Sequence, residues 1–164
     1  DQGLAGLVGS NSTPSMAAFD ATFPNLGNNP LGFGAPVEDG PDLIFDFSCG
    51  VMSFGSLAKI QQASDAVPND AFIKPSGQPQ EQPVYEIAGD LEWAALPFGG
   101  HKGYGIMLAD EFLGRVLSGA DRYADTPRGG PVLRHRGITL MVFKADLFSL
   151  SRILRIGPMS SSGG

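Results

Sequence analysis

Twenty-three glycines and thirteen prolines interrupt this 164-residue chain. Together they make up about 22% of it, against roughly 12% in an average domain. Glycine inside a helix or strand weakens it, and proline ends it. Apolar segments nevertheless interleave with these breakers throughout, and hydrophobic residues reach 42%. The pattern implies a folded chain with many tight turns. Its length suits one domain.

Charge narrows the partners. The net charge is −6 and the isoelectric point is about 4.7. A phosphate-binding face needs clustered Lys and Arg, whereas the 11 basic residues here are scattered, which argues against nucleic acid. A single cysteine, Cys49, excludes an internal disulfide and a Cys-based zinc site. Two histidines, His101 and His135, leave little for a metal cluster, so no metal is expected. Apolar runs fall far short of the roughly 20 residues of a membrane span. The start, Asp1-Gln2-Gly3, has neither Met nor a signal pattern. A cytoplasmic protein without a membrane partner is the default, and a beginning inside a longer chain is expected.

Periodicity places the elements. Residues 3–9 read as a short buried strand, residues 10–30 as loop, and residues 31–36 as a second strand. Residues 43–48 alternate, with Leu43, Phe45 and Phe47 on one face and Ile44, Asp46 and Ser48 on the other. Residues 55–66 form a helix with Leu57, Ile60 and Ser64 on one side. Residues 67–91 carry Pro68, Pro75, Pro79 and Pro83 and read as a long excursion without structure of its own. The best helix spans residues 103–119, with Ile106, Ala109, Leu113 and Val116 facing inward and Phe112 and Leu117 widening the stripe; Glu111, Arg115 and Ser118 lie opposite. Residues 138–143 form a last strand, and residues 160–164 read as unstructured. Strands mixed irregularly with two helices imply an α+β fold.

Three segments have chemical potential. In Leu96-Pro97-Phe98-Gly99-Gly100-His101-Lys102-Gly103-Tyr104-Gly105, four glycines in seven residues precede the best helix. Backbone can approach a ligand closely there, and N–H groups at a helix start favour anions. Lys102 adds charge, and His101 adds a group that titrates near neutrality. The spacing matches neither a Walker A loop nor the G-x-G-x-x-G fingerprint, and a tight turn with a solvated Lys explains the same residues. In the second, Asp46-Phe47-Ser48, an acid at a strand end suits ribose hydroxyls, or equally a capping role. The third, Ser10-Asn11-Ser12-Thr13-Pro14, and likewise Asn28-Asn29-Pro30, suits phosphate and amide contacts, or ordinary polar turns. Cys49 has no basic neighbour and reads as an inert buried thiol. His135, between Arg134 and Arg136, reads as a solvated loop charge.

In combination and in order, these segments resemble the malate/L-lactate dehydrogenase family of the non-Rossmann type. That family includes ureidoglycolate, sulfolactate and piperideine-2-carboxylate oxidoreductases. The matching pieces are Gly6-Leu7-Val8-Gly9 with Ser10 to Pro14, then Leu26-Gly27-Asn28-Asn29-Pro30-Leu31 with Ala35-Pro36. Phe45-Asp46-Phe47-Ser48, the glycine–histidine–lysine segment and Val116-Leu117-Ser118-Gly119 follow. The resemblance runs from about Leu4 to Phe148. It implies a mixed, largely antiparallel sheet with packed helices in a dinucleotide-binding core over residues 1–156, and a disordered tail over 157–164.

The resemblance also implies NAD- or NADP-dependent interconversion of a 2-hydroxy acid and a 2-oxo acid, in a homodimer. It assigns Ser12, Asp46, Phe47, Ser48 and Lys102 to the cofactor, and Asn28 and His101 to the substrate. Asn28 stands where the family usually has Thr before Asn-Pro. The family's catalytic histidine, in a Ser-His-Gly segment followed by a carboxylate-holding arginine, has no match here. Its C-terminal Pro-Gly-Glu segment has none either. The expectation is therefore an internal fragment or truncated member without a catalytic residue of its own. A degenerate, non-catalytic binding or assembly module is the alternative.

Overall fold

The computed structural model describes residues 3–37, 40–83, 92–120 and 136–147. The first half contains β1 (Leu4–Ser10), β2 (Met16–Ala17), β3 (Pro24–Leu26), β4 (Leu31–Ala35), β5 (Leu43–Phe47) and α1 (Phe54–Ala63). The second contains β6 (Phe72–Ile73), β7 (Ala94–Ala95), α2 (His101–Glu111), a π-helical turn over Phe112–Leu117, and β8 (Ile138–Lys144). The mixture is α+β, as the irregular alternation of strands and helices in the sequence implies.

β1 sits inside a four-stranded sheet of order β5-β4-β1-β8, antiparallel at every pairing. Its register with β8 runs from Leu4 opposite Lys144 to Ser10 opposite Ile138. Side chains alternate across a sheet, so Asp46, Gly32, Val8 and Leu140 form one row on one face. Phe45, Phe33, Leu7 and Met141 form a row on the other. β1 is less buried than expected: Ala5 and Gly9 are covered, but Leu4 and Val8 are exposed. β5 keeps the expected alternation, since Phe45 stacks on Phe33 and on Phe47. Being an edge strand, it is nevertheless largely exposed.

A second sheet, β3-β2-β7-β6, was hidden in segments read as loop. Met16 and Ala17 of β2 are fully buried, and Phe72 of β6 pairs opposite Ala95 of β7. Residues 67–91 are thus no structureless excursion where described. Strands of two residues have no periodicity to detect, because they are made by distant partners. The core gathers here, from Met16, Cys49, Leu57, Phe72, Trp93 and Met107. Phe72 meets Trp93 edge-on at 5.0 Å, a pairing that adds about 0.5–1.5 kcal/mol beyond burial.

Both helices differ from expectation at their boundaries. Ser53 caps α1 by accepting from the Ser56 amide at 3.1 Å. Ser64 ends it in the left-handed region (φ 57°) instead of extending the inward face to residue 66. Helix α2 starts at His101, two residues early, and widens into the π-helical turn after Glu111. Its buried face is Gly103, Met107, Asp110 and Gly114. The expected stripe is only partly covered: Ile106 packs on the core and Leu113 is half-buried, but Ala109 is exposed, and Phe112, Val116 and Leu117 are more than half exposed. Close approach decides the face. Gly103 lies against Phe98 and Cys49, and Gly114 against Asn11 and Gly137, with no room for a Cβ. His135, residues 84–91 and the tail 157–164 lie outside the described residues. No helix among the described residues is long and apolar enough to cross a membrane.

Candidate functional site

The turn before α2 is held by backbone. The Phe98 amide donates to the Cys49 carbonyl at 3.0 Å, and the Gly100 amide donates to Pro97. Gly99 and Gly100 take φ of 56° and 60°, which favours glycine. The Lys102, Gly103 and Tyr104 amides then donate to the carbonyls of Gly99, Phe98 and Gly100. The expected amide cradle for an anion is largely consumed by the turn itself. Side chains remain, and both His101 and Lys102 are exposed. The His101 ring meets Phe19 edge-on at 6.1 Å. Beside it a cleft of about 550 Å³ is lined by Phe19, Asp20, Val51, Asp70, Gly99 and Gly100.

Residues 27–29 are tied to the same turn from the other side. The Asn28 Oδ1 accepts from the Gly50 amide at 3.2 Å, and the Asn28 carbonyl accepts from Cys49. Gly50 in turn bridges to Pro97. Asn28 is therefore half committed to structure. Asn29, which sequence reasoning did not single out from its neighbours, is the hub. Its Nδ2 donates to the Met107 carbonyl at 2.9 Å and to Glu111 Oε2 at 3.1 Å. Its Oδ1 accepts from the Ser12 amide at 3.0 Å and the Ser12 hydroxyl at 3.5 Å. Ser12 is thereby brought to α2 rather than left in a free loop.

The Asp46-Phe47-Ser48 segment divides. Phe47 packs edge-on against Phe98 at 5.5 Å, on the side of the glycine-rich turn. Asp46 is exposed on the opposite sheet face. It borders a groove of about 480 Å³ over Gly6, Gly32 and Gly34, walled by Val8, Leu140 and Ile44. The structure thus joins Asn28, Phe47, His101 and Lys102 through the 97–103 turn, with Ser12 attached through Asn29. Asp46 belongs to a separate groove.

Two buried groups complete the electrostatics. Burial first, and the nearby Asp110 carboxylate second, push the Cys49 thiol up to about 12. Its Sγ donates to the Asn29 carbonyl at 3.1 Å. At pH 8 almost none of it is thiolate, which is the reactive form. Native protein is expected to leave Ellman's reagent almost untouched, while guanidinium-unfolded protein reacts with one equivalent. Burst labelling of native protein would contradict this. Asp110 is the other group: burial raises its carboxyl to about 7. Neither Asp110 nor Glu111 stood out in the sequence, because their roles arise from contacts with residues 80 to 100 positions away. Among the described residues no cluster of three His, Cys, Asp or Glu is placed to hold a metal.

An antiparallel central sheet with helix-flanked glycine turns defines an α+β class distinct from the doubly wound parallel nucleotide-binding sheets. Comparison then places it: the malate/L-lactate dehydrogenase family profile matches residues 1–154, and the chain belongs to that family. It is 37% identical over 117 residues to Delta(1)-pyrroline-2-carboxylate reductase of Agrobacterium fabrum, covering 71% of this chain and 33% of that protein. It is 33% identical over 122 residues to L-lactate dehydrogenase of Cupriavidus necator, covering 73% and 35%. The crystal structure of delta1-piperideine-2-carboxylate reductase from Pseudomonas syringae pv. tomato superposes with a TM-score of 0.72 at 26% identity, over 92% of this chain and 46% of that one. The chain spans about a third of the length of the curated relatives it matches.

Proposed function

We propose that the chain is the cofactor-positioning core of an oxidoreductase that uses NAD or NADP. The reaction would interconvert a 2-hydroxy acid and a 2-oxo acid, or reduce a related cyclic imine. The groove on the open sheet face carries the reading. Nothing lies within 4 Å of where a Cβ on Gly34 would stand, so any larger residue there would fill the cradle. A flat floor beside one exposed carboxylate fits a ribose, whose hydroxyls donate to the Asp46 oxygens. When bound, the dinucleotide supplies or accepts the hydride.

The remaining work belongs to side chains of this chain. Lys102 brings a positive charge to the start of α2 and suits a phosphate or carboxylate as a point charge. Asn28, fixed by Gly50, orients the substrate, and His101 beside the 97–100 turn donates to it or accepts from it. The acid/base histidine and the carboxylate-clamping arginine are assigned to parts of the family's chain that this one does not span.

The test is titration of the chain with NADH and NADPH, followed by fluorescence. Asp46→Asn is expected to raise Kd about 10- to 150-fold, the loss of one charge-assisted hydrogen bond. Asp46 is exposed, so the variant should fold normally. Equal affinities for the two proteins would remove Asp46 from the cofactor site.

A further inference from the structure

Helix α2 lies over β1 with Asp110 pressed onto Gly9. Asp110 is only 1% exposed, and neither carboxyl oxygen has a hydrogen-bond partner among the described residues. A Cβ at Gly9 would collide with Asp110 Oδ1 and come within 3.3 Å of Cγ. The carboxyl therefore occupies the space a side chain on β1 would need. A carboxylate in such a place, without donors, is very costly, whereas a neutral acid costs far less.

We infer that Asp110 is a proton-operated latch: neutral, it seats α2 on Gly9, and ionised, it drives the helix away from β1 and shifts His101 and Lys102 at its other end. The surrounding groups among the described residues offer no compensation. Cys49, a titratable group facing it, stays neutral across the physiological range. Glu111, next on the same helix, accepts from Asn29 and pairs with Arg115 at 3.2 Å. β1 and β4 carry no ionisable side chain. Asp46 of β5 lies across the sheet, and Lys144 of β8 pairs opposite Leu4 at its far end. Burial alone sets the titration, at about 7. The latch does not depend on what the chain binds.

The sign follows from linkage. The folded-state value lies above the unfolded one of 3.8, so the folded protein binds the extra proton. Stability from this group is complete below about pH 4 and falls as pH rises toward 7. Between pH 5 and pH 8 it should raise the unfolding constant about 100-fold.

The experiment is chemical unfolding of the full chain at both pH values, with Asp110→Asn beside it. The variant should lose that 100-fold rise, and its α2 amides should keep at pH 8 the exchange protection they have at pH 5. Identical pH dependence in the two proteins would overturn the latch. Infrared spectroscopy of the unsubstituted chain needs no variant. A protonated-carboxyl band present at pH 5.5 and lost near pH 7 is expected, and its absence at pH 5.5 would also overturn the inference.

Discussion

Gly114→Ala is expected to destabilise the fold by about 3–5 kcal/mol, beyond the 1–3 kcal/mol usual for overpacking. The added Cβ would strike the Asn11 amide, lie 2.9 Å from the Gly137 carbonyl and 3.0 Å from the Ser10 carbonyl carbon. All three are backbone, and none rotates out of the way. Moving them means moving the end of β1 against β8, where Asn11 Oδ1 accepts from the Gly137 amide at 2.7 Å. Thr139 also donates its hydroxyl to the Leu113 carbonyl at 2.6 Å, so the helix cannot lift without breaking that bond. The loss is a large part of an ordinary domain's 5–15 kcal/mol. It should lower Tm by about 6–20 °C at this chain length. Gly105→Ala is the matched control, since nothing lies within 4 Å of its Cβ position on the same helix. Alanine is the better helix former by about 1 kcal/mol, so Tm should rise slightly. Equal Tm changes in the two variants would refute the close-approach account of α2.

That account also explains what the sequence did and did not disclose. β5 was legible because it alternates, β1 and β8 because each is an unbroken run of strand-favouring or apolar residues between breakers, and α2 because a periodic run ends at Gly119. The face of α2 was misread by one residue, a rotation of about 100°. Hydrophobicity favoured Ile106, Ala109, Leu113 and Val116, but two glycines dictated the contact through their lack of volume. Burying Gly103 and Gly114 brings Asp110 inward with them, against its chemistry. No pattern rule predicts a buried acid, because the rule assumes that side chains choose their own face. β2, β6 and β7 were invisible for another reason: their pairings join Met16 to Ala95 and Phe72 to Ala95, and no local window contains both partners. β3 pairs locally with β2, Met16 opposite Leu26, but three residues that include Pro24 are too short to alternate.

The candidate site was legible where a motif coincides with a helix boundary. The glycine–histidine–lysine segment does stand at the start of α2, and Asn28 does lie near it through Gly50 and Pro97. The resemblance assigns the whole Asp46-Phe47-Ser48 triplet to the cofactor, yet the alternation legible in residues 43–48 already sends Asp46 and Phe47 to opposite sides, as the structure has them. Asn29 escaped notice beside Asn28 because the two share a residue type. Only burial distinguishes them, Asn28 being partly accessible and Asn29 fully enclosed.

Asn29 carries the second large effect. Its side chain joins three parts of the chain: Ser12 after β1, the Met107 carbonyl within α2, and Glu111 at the end of that helix. Asn29→Leu would keep the approximate volume and remove every one of these bonds. The Ser12 amide and Glu111 Oε2 would lose partners in partly buried surroundings, and the Met107 carbonyl would lose one in a buried site. Each stranded group costs about 1–3 kcal/mol, so a loss of at least about 3 kcal/mol is expected by urea unfolding. The backbone adds to it, because Asn29 sits at φ 33°, a region asparagine tolerates better than leucine. Asn29→Asp separates the electrostatics from the shape. The replacement keeps an acceptor for Ser12 but turns a second oxygen toward the Glu111 carboxylate, where Asn29 offered a donor. Burial and that like charge would raise the new carboxyl's pKa above its unfolded value. Its penalty is therefore small at low pH and grows as pH rises. Asn29→Asp should approach the parent protein near pH 5 and lose most of its advantage over Asn29→Leu by pH 8. A cost for Asn29→Asp that does not change with pH would show that the Asn29–Glu111 contact carries no electrostatic weight.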